Sequence, residues 1–480
     1  MGAATLGHAI IGRMHGATDS TWRVAVVGAG PSAFYAAEAL FKALGNRVRV
    51  DMFDRLPVPY GLVRGGVAPD HQNIKGVVKV YEKIAAQPGF RFFGNVRLGR
   101  DVHVADLTRN YHQIVYGFGC ESDQKLGLIG EELGGVHAAT DFVGWYNGHP
   151  DHVHHRFDLA DAERVAVVGN GNVAMDVARI LLSQPERLAA TDIAEHALAA
   201  LQRSQVREVV LLGRRGPAQA AFSPKELEEI AELPDVGVHI PAAEAQLSPA
   251  CETWLTTAPR SQQRNAKLVA ELAAATGAAR SRTLQCRFRV APVALHGADG
   301  RLQGVRLQRM ELVPGDDGTP RPQPIDEFEE LRVDLLFKAI GYKGVPVPGV
   351  PYEPKKGIVP NVDGRVTEKA GGAVLAGHYA VGWCKRGPTG LIGTNSPDAK
   401  ATVEAMLADQ AAGTHLQPTT DDLPQRLRSA GVDLVGWQDW ERLDAWERSE
   451  GERRGKLRHK LTSTDAMLQQ IRALRTTTAP

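Results

Sequence analysis

The chain has 480 residues, of which 43% are hydrophobic, 23% charged and 6% aromatic, a composition that builds two or three packed domains and excludes a mainly disordered polymer. Its 56 Lys and Arg face 55 Asp and Glu, so no global field draws it to nucleic acid or anionic lipid, and a charged partner has to be met by a local patch. Cys120, Cys251, Cys286 and Cys384 lie dozens of residues apart, which excludes a CxxC pair, an iron–sulfur set and a disulfide scaffold.

Residues 1–20 are Gly- and Ala-rich with a single Arg, unlike a secretory signal or a transit peptide. They read as a disordered leader within which Met14 is an alternative start. With unpaired thiols and no signal, the expected location is cytoplasmic. The longest apolar runs, such as 165–169 and 208–213, are strand-sized and far short of the ~18 residues of a membrane helix.

Residues 23–45 run from a buried strand through Gly28-Ala29-Gly30 into a helix with apolar Phe34, Ala37, Leu40 and Leu44, closed by Gly45. This is a GxGxxA dinucleotide turn in its required setting. Gly28 makes the tight turn, Gly30 lets backbone approach a pyrophosphate at the helix N-terminus, and Ala33 keeps helix and sheet close. A second strand, 47–53, ends in Asp54, about the ~20 residues onward at which a carboxylate meets ribose hydroxyls. Residues 57–75, rich in Pro and Gly, read as a long structured loop.

A second unit follows at 164–182, with Gly169, Gly171 and Ala174 in the corresponding places. Its next strong strand, 206–213, ends in Arg214-Arg215, where guanidiniums suit a 2′-phosphate and a carboxylate would repel it. A first site closed by an acid and a second closed by arginines describe a flavoprotein in which FAD takes hydride from NADPH. Without a dithiol, the electrons pass to an external one-electron carrier or to dioxygen. A sensor that binds both nucleotides without turnover is the non-enzymatic alternative.

Six irregular stretches then carry a specific resemblance: 57–75 (PVPYGLVRGGVAPDHQNIK), 91–96 (RFFGNV), 141–150 (DFVGWYNGHP), 169–182 (GNGNVAMDVARILL), 213–222 (GRRGPAQAAF) and 382–395 (GWCKRGPTGLIGTN). Together they resemble the adrenodoxin-reductase-type ferredoxin–NADP reductases, in particular the actinobacterial ferredoxin reductase A group, from about residue 23 to 400 and more loosely to the C-terminus. The resemblance implies an α/β fold of the glutathione-reductase-like flavoprotein type: a discontinuous FAD domain (21–121 and 339–480, with a C-terminal tail) and an inserted NADP domain (122–338). For FAD it implies Gly28, Gly30 and Ser32 at the pyrophosphate and Asp54 at the ribose. Leu98 falls on the adenine side, and Leu62, Trp383, Gly390, Leu391 and Ile392 at the flavin. For NADP(H) it implies Asn170, Gly171, Asn172 and Val173 at the phosphate turn, Arg214 and Arg215 at the 2′-phosphate, Glu226 near the nicotinamide ribose, and Gly390 shared between both cofactors. The family can carry an Arg just after the segment 121–123, where this chain has Gln124 and Lys125.

His71 matches a family histidine near flavin and nicotinamide, paired with a carboxylate aligned to Glu229. Hydride transfer needs no general acid, so an orienting role is expected. Glu226 and Glu229, three apart, share one face of a helix beginning near Ser223-Pro224. Between 255 and 290, Arg260, Arg264, Lys267, Arg280, Arg282, Arg287 and Arg289 are opposed by Glu271 alone. Such a patch suits docking of an acidic ferredoxin, and it lacks the motifs of a nucleic-acid binder. In the tail, Trp437, Trp440 and Trp446 stand at helical offsets before the basic run 452–460; the tryptophans read as packing a terminal helix onto the body.

Overall fold

Strands buried on both faces carry unbroken apolar runs, because a parallel sheet is covered on each side. Trp22–Val27 is such a strand, with Val24, Ala25 and Val26 fully buried. In the computed structural model, which describes residues 21–275 and 280–477, it lies inside a seven-stranded sheet. Five strands of that sheet are parallel and lie in the order Val374–Ala380, Gln113–Tyr116, Trp22–Val27, Val48–Phe53, Phe90–Phe93. The expected leader, 1–20, lies outside the described residues.

Helix Pro31–Leu44 crosses back over this sheet. Its Ala33, Phe34, Ala37 and Leu40 are fully buried, and Gly45 closes it with φ 56°. A second sheet of six parallel strands has the order Val136–Ala138, Leu335–Lys338, Arg164–Val168, Glu208–Gly213, Arg282–Phe288, Val236–His239. The first sheet therefore draws strands from both sides of the second in sequence, which is the α/β class and discontinuous arrangement expected. Where the chain passes between the sheets, Ser122–Asp123 and Tyr342–Lys343 pair antiparallel.

Residues 290–332 form a three-stranded antiparallel meander that the sequence reading does not anticipate. Its Val290, Leu295, Leu302, Val305 and Leu307 cover one face of the second sheet, packing with Ala166, Val168, Val210 and Leu212. The tail forms helices Leu423–Ser429, Trp437–Arg453 and Thr464–Thr477. Trp437, Trp440 and Trp446 pack into the first core as expected. The basic run does more than face solvent: Lys456 and Lys460 are buried, donating to Ile193 O and pairing with Asp192. This ties the tail to the inserted unit.

Candidate active site

Each glycine turn is fixed by a close backbone approach. Gly28 has φ +106°, and a Cβ there would lie 2.5 Å from Gly117 O; Gly169 has φ +128°, and a Cβ would lie 2.4 Å from Ala339 O. Any other side chain forces the neighbouring strand away. One turn further on, Gly30 and Gly171 stand at the N-caps of helices Pro31–Leu44 and Asn172–Leu182, both without a side-chain cap. A Cβ at either would meet nothing within 4 Å. The free helix N–H groups thus open onto space that backbone atoms of this chain do not fill, the requirement for holding a pyrophosphate. Ser32 is buried in the first turn of the first helix.

Asp54, at the end of Val48–Phe53, accepts from Ala29 N (2.8 Å) and Leu56 N (2.9 Å). Burial outweighs these bonds and pushes its carboxyl up to about 6. Ribose hydroxyls donating to this group, the role the resemblance implies for it, would favour its ionised form and lower that value in the complex. Flavin affinity is therefore expected to be constant above pH 6 and to fall, by up to about tenfold per pH unit, as pH drops below it; fluorescence titration of apoprotein with FAD between pH 4.5 and 8 reads this directly.

Leu62 opens the short helix Leu62–Gly65 within the expected loop. Leu98 is buried at 8% exposure in the core behind the first sheet. Gly390 has φ +80° in a loop whose Leu391 is 63% exposed, while Ile392 packs partly against the core. Arg386, four residues before Gly390, donates to Thr394 and Asn395 through Nη2, and its buried Nη1 has no partner. An exposed leucine and an unspent guanidinium donor fit a flavin-binding loop. Trp383 packs against Tyr342, the rings tilted 46° with centroids 5.2 Å apart.

In the second turn, Asn172 Oδ1 accepts from Ser223 N (2.8 Å) and Asn170 O accepts from Ala221 N and Phe222 N, while the buried Asn170 Nδ2 has no partner. Val173 packs partly against the second core. Arg214 and Arg215 stand exposed just beyond Glu208–Gly213. Among the described residues neither guanidinium is in an ion pair, so both are free for an anion. They do not touch the His71 cluster. Gln124 and Lys125 are exposed beside Tyr342, whose carbonyl accepts from Gln124 Nε2 at 3.5 Å.

His71, at the N-cap of Gln72–Lys75, meets Glu229 of helix Pro224–Ala231 with Nε2···Oε2 2.8 Å. Arg179, which sequence reasoning missed, organises the surroundings. It lies 3% exposed and binds Asp70 (2.7 Å), Asp176 (2.6 Å) and Glu226 (2.9 Å). Its Nη2 is 3.3 Å from His71 Nδ1. An imidazole that donates from Nε2 to Glu229 and accepts at Nδ1 from Arg179 satisfies both contacts. Burial lifts Asp176 and Glu226 above the ordinary carboxylate range despite Arg179. For Asp70 and Glu229 burial is again the largest single influence, but hydrogen bonds and charge together, chiefly from Arg179 and His71 for Asp70 and from His71, Lys225 and Arg179 for Glu229, outweigh it and hold them low. Asp176 also lies close enough to Tyr342 to add to the rise of that phenol, whose main cause is burial. Arg179, Asp70, His71, Asp176, Glu226 and Glu229 therefore form one cluster that joins the first unit to the second. Its signal was an acid and a base three apart, Asp176 and Arg179, within an otherwise apolar helix.

The basic patch requires correction. Arg287 is buried at 9% exposure between Glu244 and Glu329. Arg282 donates to the carbonyls of Leu182 and Ser183 at a helix end, and Arg289 to that of Ala243. Arg264 and Lys267 are exposed but sit near Glu228 and Glu271. The charge expected over 255–290 is thus in part structural.

Two uncapped nucleotide turns on separate parallel sheets, joined by a cluster that spans both, define the two-nucleotide class of α/β flavoprotein oxidoreductases. No family model matches the chain. It is 42% identical over 457 residues to NADPH-ferredoxin reductase FprA of Mycobacterium tuberculosis, covering 93% of this chain and 98% of that one. It is 40% identical over 472 residues to the mitochondrial NADPH:adrenodoxin oxidoreductase of Bos taurus, covering 94% and 92%. The solved structure of M. tuberculosis FprA in complex with NADPH superimposes with a TM-score of 0.87 at 41% identity, covering 93% of this chain and 99% of that one. The chain belongs to the family of NADPH-dependent ferredoxin and adrenodoxin reductases.

Proposed function

We propose that this protein is an NADPH:ferredoxin oxidoreductase that holds FAD on its first sheet and NADP(H) on its second, with domain limits near 121 and 338 where the crossover strands pair. The observation that carries this reading is the pair of uncapped glycine turns, one followed by Asp54 and the other by the unpaired Arg214 and Arg215. Bound FAD supplies the conversion of a two-electron hydride into single electrons. This chain's part is positional: backbone amides after Gly28 and Gly30 hold one pyrophosphate, those of Gly171 to Val173 the other, and Asn170 offers an unspent amide. His71 orients the nicotinamide side by holding Glu229 across the two units. Trp383 and the 390–392 loop wall the flavin from water.

Electrons leave to an acidic iron–sulfur ferredoxin, docked on exposed charges among Arg260, Arg264, Lys267 and Arg280. Four free, buried cysteines suit a reducing cytoplasm, and among the described residues no helix is long and apolar enough to cross a membrane. Steady-state turnover with NADPH and a [2Fe–2S] ferredoxin, compared with oxygen uptake in its absence, tests the acceptor. Carrier-dependent turnover that declines steeply with added salt is expected; rapid oxygen consumption unaffected by the carrier would instead mark an oxidase.

A further inference from the structure

We propose that Asp141, His152 and His155 form a binding site for one borderline divalent cation of the Zn2+ type, separate from the nucleotide sites. Asp141 lies in the first turn of helix Ala139–Tyr146. His152 and His155 stand three apart in the turn that follows, where His152 N bonds to His149 O and His155 N to His152 O. Asp141 Oδ1 lies 3.3 Å from His152 Nδ1 and 3.4 Å from His155 Nε2, and all three donor atoms fall within 4.8 Å of one another.

Neither separation makes a well-formed hydrogen bond, and among the described residues the buried His152 Nδ1 has no hydrogen-bond partner. They match the edges of a coordination tetrahedron: bonds of ~2.0–2.1 Å to imidazole nitrogen and carboxylate oxygen place neighbouring donors about 3.3–3.4 Å apart. Two imidazoles and one carboxylate are the donors that borderline cations select over Mg2+ or Ca2+. The three side chains are 20–31% exposed, which admits the cation and leaves room for a water as fourth ligand.

The set is braced. A Cβ at Gly144 would lie 2.3 Å from the His152 ring, so a glycine on the same helix lets that ring lie flat against it. On its other side the same loop grips the first unit, with Asp151 bound to Arg55 at 2.6 Å and His149 packed against Gly65. Arg55 follows Asp54 directly. A cation here clips the 147–156 loop to its helix and stiffens a strap that ends beside the proposed ribose carboxylate.

Calorimetric titration of untagged, flavin-loaded, chelator-treated protein with Zn2+ tests this. One saturable equivalent is expected, accompanied by a rise in melting temperature. His155→Ala and Asp141→Asn are expected to weaken it by at least ~10–100-fold, since even a residue supporting a ligand is worth that much. His154→Ala, an exposed neighbour, and Glu229→Gln, in the His71 cluster that could also hold a metal ion, are expected to leave it unchanged. Co2+ added to the unmutated protein should show four-coordinate ligand-field bands in the difference spectrum, a readout independent of how the variants fold. Absence of a saturable equivalent, equal affinity in His155→Ala, loss in Glu229→Gln, or only six-coordinate Co2+ bands would each overturn the assignment.

Discussion

Replacing Arg214 and Arg215 together by Ser is expected to raise the KM for NADPH about 100-fold while leaving that for NADH within about threefold, because a charge-assisted hydrogen bond contributes ~1.5–3 kcal/mol and each 1.4 kcal/mol is tenfold. Both side chains are exposed, lie just beyond the strand end and form no ion pair among the described residues, so their removal leaves no buried group unpaired and should not move the melting temperature. A 2′-phosphate is the one feature that separates the two nucleotides. Steady-state kinetics with both donors checks the point; an equal loss with NADPH and NADH would place the 2′-phosphate elsewhere.

Arg179→Met should produce the largest loss of stability, about 3–5 kcal/mol in denaturant unfolding of the flavin-loaded protein, the cost of breaking a buried ion network by removing one partner. Asp70, Asp176 and Glu226 would each lose the cation that now faces them. The sign with pH follows from the carboxylates. Asp176 and Glu226 already sit above their ordinary range, so their ionisation costs stability as pH rises past that range, and more so without Arg179. The deficit is therefore expected to be greatest at high pH, to shrink as pH falls through the raised titration of Asp176 and Glu226, above the ordinary carboxylate range, and to shrink further at lower pH as Asp70, which Arg179 holds low, is neutralised. A deficit independent of pH would mean that lost packing of the guanidinium stem dominates.

The contrast between these two positions shows what the sequence can reveal. The exposed place of Arg214 and Arg215 is legible because it is set locally, two charges directly after a strand. The glycine turns are legible for the same reason, since Gly28 and Gly169 respond to constraints imposed within one strand–turn–helix unit. Arg179 is not legible, because its meaning depends on Asp70, more than a hundred residues earlier, and on Glu226, which comes from another helix. Arg287 was misleading in the opposite sense: in sequence it stands among basic neighbours, but folding brings Glu244 and Glu329 against it and removes it from the surface. The meander at 290–332 escaped notice because its outer face is polar and its inner face reads as isolated apolar residues. Within the basic run at 452–460, Lys460 is buried beside Asp192 and Lys75, contacts that only the tertiary fold creates.

One chain sets a flavin and NADPH against each other across its two sheets. Anaerobic stopped-flow mixing of the purified protein with one equivalent of NADPH, followed at the flavin absorbance maximum, tests it most directly. One FAD per chain is expected, bleached by NADPH far faster than by equimolar NADH. A colourless protein that retains no FAD on reconstitution, or a yellow one that NADPH fails to bleach, would contradict it.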